Sequence, residues 1–585
     1  MNLKNDASTP EHESAASIRL LSRDSILPGL AVFIVCTVWI PSALAAILLL
    51  AGMHSWWLPA GLGSLVSFSA LWLLLFRGLP RKESLVLGAL VLGALLAAAA
   101  ISVFCYDTYG DGRWYHADAI LALLHGVNPI YSTIPAPDPV WSNHYPKATW
   151  YFAALVIHTF RNYQLGKIYN FLLVFACAAY AGDFFLRLGV RGRDCVILAV
   201  VTAFGPVAAA QLVSYYVDGA LGSLLTLILL AIVNLVFFAR PLDRIVFFLS
   251  ASLAIAVKFT GGPYLAAAVC VLIASRFLFR PRYPSPRPLH RVVLADVTVA
   301  MISICVGVLV LGYNPYVTNM REGFNPLYPV LGPNRIDLMA DNTPPVLLGR
   351  SLNRVQKLTI SLFSQTEEHT KGRSTIKIPF MVSRGELISL TSPDVRMAGW
   401  GVFFSGVMLA SIVLFLLSRG WRGNSPIILL LVLVLATTLI NPECWWARYA
   451  PQFALLPVLL LVPCLRGRSR LVRSCAQALC AILLVNNLLF TGGTVMRSVR
   501  KVRMLDQSLA LVVRSSGPGE YWAYRTPGHW AHFDQFSNRL GVVICGQVDP
   551  PIHAVTSPGF PLSLWEDGQV EVTLYKGACA SGPPF

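Results

Sequence analysis

SLVLGALVLGALLAAAAISVFC, residues 84–105, contains no charged residue and no proline. Its length is that of an α-helix crossing the hydrocarbon core of a bilayer, about 20 residues at 1.5 Å each. Similar apolar runs recur from residue 26 to residue 490 of a 585-residue chain. The whole chain is 55% hydrophobic and 13% charged, with mean hydropathy +0.61. Soluble chains carry roughly 25% charge. A soluble enzyme, a fibrous protein and a disordered chain are therefore excluded. The expected fold is an α-helical polytopic membrane protein. About thirteen spans are expected, at 27–51, 58–76, 84–105, 165–186, 195–213, 219–238, 245–258, 263–279, 292–312, 399–417, 426–440, 452–465 and 474–491. Residues 148–160 form a shorter apolar helix, read as juxtamembrane or re-entrant. Residues 1–25 are polar and expected to be disordered. No small-residue cleavage site follows the first run, which is read as an uncleaved span.

The connections sort by charge. Alternate ones, with the N-terminus, hold 22 basic residues, among them Arg187, Arg240, Arg244 and Arg276. The short connections of the other face hold two, Lys258 and Arg448. The positive-inside rule makes the basic face cytoplasmic. The transmembrane region is then 26–491. Residues 106–164 and 313–398 are long outer segments, and 492–585 is a C-terminal domain placed outside by span parity. Arg497, Arg500, Lys501 and Arg503 run against that parity. The formal charge of +17 is read as topogenic, with no nucleic-acid partner.

The first outer segment begins CYDTYGDGRWYHADAILALLHGVNPIY, residues 105–131. Ala117, Ile120, Leu121 and Leu124 repeat as the stripe of an interfacial amphipathic helix. Asp111, Tyr115, Asp118 and His125 are expected close to one opposing face. Gly126 ends the helix and Asn128-Pro129 turns the chain. Three acids and two histidines thus crowd into nineteen residues at the level of lipid head groups. The plain alternative is a solvated loop.

The pattern D-x-x-x-Y-H from Asp111 to His116, followed by G-x-N-P-x-Y from Gly126 to Tyr131, resembles the first outer loop of GT-C superfamily membrane glycosyltransferases. HYPKATWYFAALVIHTF (144–160), NPLYPVLG (325–332), DVRMAGWGVFFS (394–405) and ECWWARYAPQ (443–452) are similar to later outer-face segments of bacterial members. The resemblance covers roughly residues 84–465. It implies a polyprenyl-phosphate-linked sugar as donor, a catalytic aspartate at Asp111 with Asp107 as the competing assignment, and an extracytoplasmic site on a bacterial inner membrane.

Departing phosphate is a stable anion. The reaction needs a base for the acceptor hydroxyl and cations for the phosphate. Lys258 and Arg448 stand where this topology otherwise avoids basic charge. They are read as donor-phosphate ligands, with interfacial anchoring as the alternative. Tyr115, His116, Asp118, Asp218 and Glu443 are candidates for binding sugar or acceptor. Tyr215 and Tyr216 beside Asp218 read equally as an aromatic belt. Glu367, Glu368 and His369 are read as solvated loop, not as a metal site. Nothing in the sequence requires a cofactor, and a divalent cation is compatible with it. No nucleotide-binding fingerprint appears.

The expected function is an inverting glycosyltransferase acting on a lipid, glycan or protein acceptor. A transporter or flippase of a polyprenyl-linked glycan is a second reading. An O-antigen polymerase or ligase is a third, since 313–398 holds ten basic residues. That segment is read as a loop with short helices, either a lid or a connector. The tail is expected to be a small α/β or β appendage, with VEVTLYKG (570–577) a strand and Cys545 and Cys579 either bonded or free.

Overall fold

The computed structural model describes residues 26–107, 109–136, 138–279, 288–338, 345–349, 351–368, 375–516, 519–524, 542–547, 560–563 and 570–576. The expectation for residues 1–25 lies outside these, as do the side chains of Cys545 and Cys579.

Each of the thirteen expected runs contains helix. Among the described residues, eight helices are long and apolar enough to cross a membrane: Ile26–Leu50, Trp57–Phe76, Arg81–Phe104, Tyr163–Arg187, Asp218–Phe237, Gly261–Leu278, Leu289–Leu311 and Arg470–Met504. Shorter apolar helices stand beside them at Ala148–Phe160, Phe404–Leu417, Ser425–Leu439 and Pro451–Arg466. Their burial is graded. Asp218–Phe237 is 94% buried over its apolar window, whereas Trp57–Phe76 and Arg81–Phe104 are 17% and 11% buried. The latter two expose Leu62, Val66, Leu85, Leu90 and Leu96. Such apolar flanks suit hydrocarbon and would be a liability in water. The chain is a multi-pass membrane protein.

Several expectations need correction. Residues 195–213 are not one span. Gly192–Ala203 ends, and Pro206–Gln211 restarts after Gly205. Pro206 has no N–H to continue the first helix, and it suits the first turn of the second. The run at 399–417 starts its helix only at Phe404, after left-handed turns at Ala398 and Gly401. The last run is part of a continuous helix, Arg470–Ser516, well beyond residue 491.

The interfacial helix differs too. Ala117–Leu124 is helical, and Gly126 follows it with φ +84°. Asp118, Ala119, Ala122 and Leu123 are nevertheless buried with the stripe residues Ala117 and Ile120. A wide turn over Gly112–His116, broken at Trp114, precedes the helix. That break takes Asp111 off the axis carrying Asp118, so the expected common face does not form.

The two ends of the bundle carry different chemistry. Asp218 opens the helix Asp218–Phe237, and Asn234 near its other end donates to Asp243 at 3.4 Å. Sixteen residues separate the two by about 24 Å. At the Asn234 end, Arg187 and Arg240 both pair with Asp183, Arg240 pairs with Asp243, and Arg244 and Arg276 share Asp296. Basic residues of the topogenic face are therefore also tied to buried acids, which the charge count did not reveal. The candidate site lies at the Asp218 end.

Residues 313–398 supply short helices at Thr318–Arg321, Arg354–Leu362 and Arg384–Ser389. The last two are capped by Asn353 and Ser383, each in a capping box. Among the described residues beyond Ser516, four strands form one mixed sheet: β1 (Gly519–Tyr524), β2 (Val542–Gln547), β3 (Phe560–Ser563) and β4 (Val570–Lys576), in the order β2-β1-β4-β3. β1 runs parallel to β2 and antiparallel to β4. β4 is the strand expected from VEVTLYKG.

Candidate active site

The site is built where the helix Arg81–Phe104 runs out. Its final carbonyls are gathered by Lys167, which donates to the carbonyls of Ser102 (3.2 Å) and Cys105 (2.5 Å). A cation there satisfies orphan acceptors and complements the helix dipole. The chain then turns around Asp107. Its carboxylate accepts from the backbone N–H groups of Tyr109 (3.1 Å) and Tyr215 (2.6 Å). Asp107 is fully buried and ties the first outer segment to the loop before Asp218. Gly112 is required beside it, because a Cβ there would lie 1.9 Å from a carboxylate oxygen of Asp107.

This anchoring delivers Asp111 to the wall of a cavity of about 1170 Å³. The Asp111 backbone N–H donates to the Tyr216 hydroxyl at 3.2 Å. Its carboxylate meets Arg448 Nη2 at 2.7 Å and is 32% exposed. Arg448 stands on the short turn Ala447–Tyr449, between the helices Ser425–Leu439 and Leu455–Arg466. Its other edges are also occupied. Nε meets Asp218 at 3.0 Å and Nη1 meets Asp394 at 3.1 Å. The rings of Tyr216, Trp446 and Tyr449 lie 5.1–5.8 Å from the guanidinium carbon. Lys258 caps the helix Pro241–Val257, pairs with Asp218 and lies 4.6 Å from the Tyr449 ring centre. Asp218 is fully buried and also accepts from Gln211 at 3.0 Å, so it joins the two cations from behind.

The remaining sequence candidates divide. Tyr115 and Glu443 line the cavity. Tyr115 packs with Trp141 and Tyr145, all within ring-contact distance. Glu443 accepts from Trp445. His116 lies under the wall. Its Nδ1 accepts from Trp150 Nε1 at 2.7 Å, and burial holds its pKa down to about 3. It is therefore a neutral acceptor at pH 7. Asp118 is buried away from the cavity lining, and burial, with Asp138 nearby, pushes its carboxyl up to about 7. Asp107 and Asp218 do not line the cavity either.

The cavity also uses residues outside that candidate set. Asp394 and Arg396 come from the end of the large outer segment, and Arg497 comes from the long last helix. Arg497 pairs with Glu368 at 3.3 Å and lies over Tyr109. Glu368 is thus a cavity-wall ion pair and not plain solvated loop; His369 lies outside the described residues. A signal for Asp394 and Arg396 was present in DVRMAGWGVFFS, two charges immediately before an apolar run. Arg497 was visible as a basic residue against parity. Leu327, Val330, Arg335 and Asp337 also line the cavity, so 313–398 covers it in part. Among the described residues no cluster of three or more His, Cys, Asp or Glu side chains is arranged to hold a metal.

Neither a family model nor a curated protein matches the chain. Among solved structures, ArnT from Cupriavidus metallidurans bound to undecaprenyl phosphate is similar, at 10% identity and a TM-score of 0.45, over 86% of this chain and 100% of that one. A likeness of that degree carries no argument about this chain's chemistry.

Proposed function

We propose that this protein is an inverting glycosyltransferase that moves a sugar from a polyprenyl-phosphate donor to a lipid, glycan or protein acceptor at the extracytoplasmic face. The carrying observation is the contact of Asp111 with Arg448, at 2.7 Å, on the wall of a cavity at one end of the bundle. A carboxylate suited to take a proton is there held against a cation suited to hold a phosphate.

The two charges work together in one step. The acceptor oxygen attacks the anomeric carbon from the face opposite the phosphate. A new C–O bond forms as the bond from anomeric carbon to phosphate oxygen breaks, and its electron pair goes to the phosphate. The acceptor proton goes to Asp111. Protonation weakens the hold of Asp111 on Arg448 as the phosphate gains charge. The guanidinium thus turns toward the new charge, an interaction stronger in the transition state than in the ground state. Tyr115, Trp141 and Tyr145 offer faces on which a sugar ring stacks.

The test incubates purified protein with a membrane-lipid extract containing polyprenyl-phosphate sugars and follows released polyprenyl monophosphate by mass spectrometry. Wild type should release it. Asp111→Asn should lower the rate by about a hundredfold or more while remaining folded. Near-normal release by Asp111→Asn would remove the base from Asp111. Release of a diphosphate in place of the monophosphate would favour the polymerase or ligase reading.

A further inference from the structure

Arg448 has no free edge. Its Nε, Nη2 and Nη1 groups each meet a different carboxylate, those of Asp218, Asp111 and Asp394. With Lys258, three carboxylates face two cations in direct contact, and Arg396, which also lines the cavity, acts on Asp394 without pairing with Arg448's other partners. A phosphate gains an edge of Arg448 only where a carboxylate leaves it. Asp218 cannot leave readily, being fully buried and held also by Lys258 and Gln211. Asp111 has to remain beside the reacting hydroxyl if it is the base. Asp394 is the remaining partner.

Asp394 is built to yield. It lies in the stretch between the helices Arg384–Ser389 and Phe404–Leu417, outside regular structure. Only its Oδ2 meets Arg448; Oδ1 is buried with no hydrogen-bond partner among the described residues. The side chain is 20% exposed and lines the cavity. Burial pushes its carboxyl above the usual range even though Arg448 pulls the other way. A half-satisfied carboxylate is the weakest of the three contacts.

We infer that Asp394 is a competing counter-ion, holding Arg448 in the empty site, yielding it to the donor phosphate and reclaiming it as the polyprenyl phosphate product leaves. The inference rests on the reading of this site as one that holds such a phosphate. Its use is in release. The donor phosphodiester carries one negative charge, and the product monophosphate approaches two. An uncontested guanidinium would hold the product more tightly than the donor and slow turnover, whereas a carboxylate waiting beside it limits that hold.

The experiment measures equilibrium binding of a polyprenyl monophosphate, and of the matching polyprenol, to full-length wild type, Asp394→Asn and Asp394→Ser. Both variants should bind the monophosphate about tenfold tighter than wild type, with polyprenol binding unchanged. Inhibition of transfer by added monophosphate should strengthen in parallel. A residue needed only for folding would weaken binding when replaced. Unchanged or weaker monophosphate binding by a folded variant, with wild type still preferring monophosphate to polyprenol, would overturn the competing role and leave the phosphate site standing. No preference for the monophosphate in wild type or in either variant would overturn the phosphate reading itself.

Discussion

Asp111 and Asp118 are seven residues apart and share one short segment, yet the fold treats them differently. Asp111 reaches a guanidinium and the cavity, while Asp118 goes into the protein beside Asp138. Burial pushes the Asp118 carboxyl up to about 7 from an ordinary 3.8. Below pH about 4 the group is protonated in folded and unfolded chains alike and costs nothing. Between about 4 and 7 the unfolded chain ionises and the folded chain does not, so stability falls as pH rises. Above about 7 both ionise and the loss levels off. Three pKa units bound the effect at on the order of 4 kcal/mol. Asp118→Asn removes this pH-dependent loss. In detergent its thermal midpoint should exceed that of wild type at pH 8, with the advantage shrinking toward pH 5. A difference that does not change with pH would mean the carboxyl is not held protonated. His116 is held neutral by the same burial, against the indole of Trp150.

At the scale of elements, the spans were legible because a membrane helix needs length and apolarity together, and both are readable in one dimension. The first-segment turn was legible in part. Gly126 ends its helix as the pattern required, but the chain also breaks at Trp114, and the turn before it is held by Asp107 accepting from Tyr215, 108 positions away, which no local spacing records. Asp394 and Arg497 were missed as site residues for a related reason. Each reaches the cavity by tertiary placement, from a segment whose own pattern says loop or helix tail. The Asp107 turn is testable by comparing Gly112, which packs on Asp107, with Gly126, which does not. At Gly112 a Cβ would strike the Asp107 carboxylate, whereas at Gly126 nothing lies within 4 Å and only a φ of +84° is disfavoured. Gly126→Ala should cost about 1 kcal/mol. Gly112→Ala has to displace a buried carboxylate with its two backbone donors and should cost about 2–3 kcal/mol or more, with loss of transfer. Equal, small shifts in thermal midpoint for the two variants would show that Asp107 does not anchor the turn.

For the whole molecule, the arrangement that matters is polarity along the bundle. One end gathers Asp111, Asp218, Asp394, Lys258 and Arg448; the other ties its arginines to Asp183, Asp243 and Asp296. Arg497 stands at the cavity end on the helix Arg470–Ser516, so one of the basic residues that run against span parity serves the cavity wall. A lipid-linked donor used outside the membrane requires the cavity end to face outward, and the basic connections then face the cytoplasm. Single cysteines at exposed positions should report this, in a background with the exposed Cys270, Cys305 and Cys475, and also Cys545 and Cys579, replaced by serine. Ser132→Cys and Arg384→Cys lie in the first and second outer segments, and Arg422→Cys lies in a basic connection. In intact spheroplasts an impermeant maleimide should label the first two and spare the third until lysis. The reverse pattern would place the cavity in the cytoplasm, where a donor presented on the outer leaflet cannot reach Asp111.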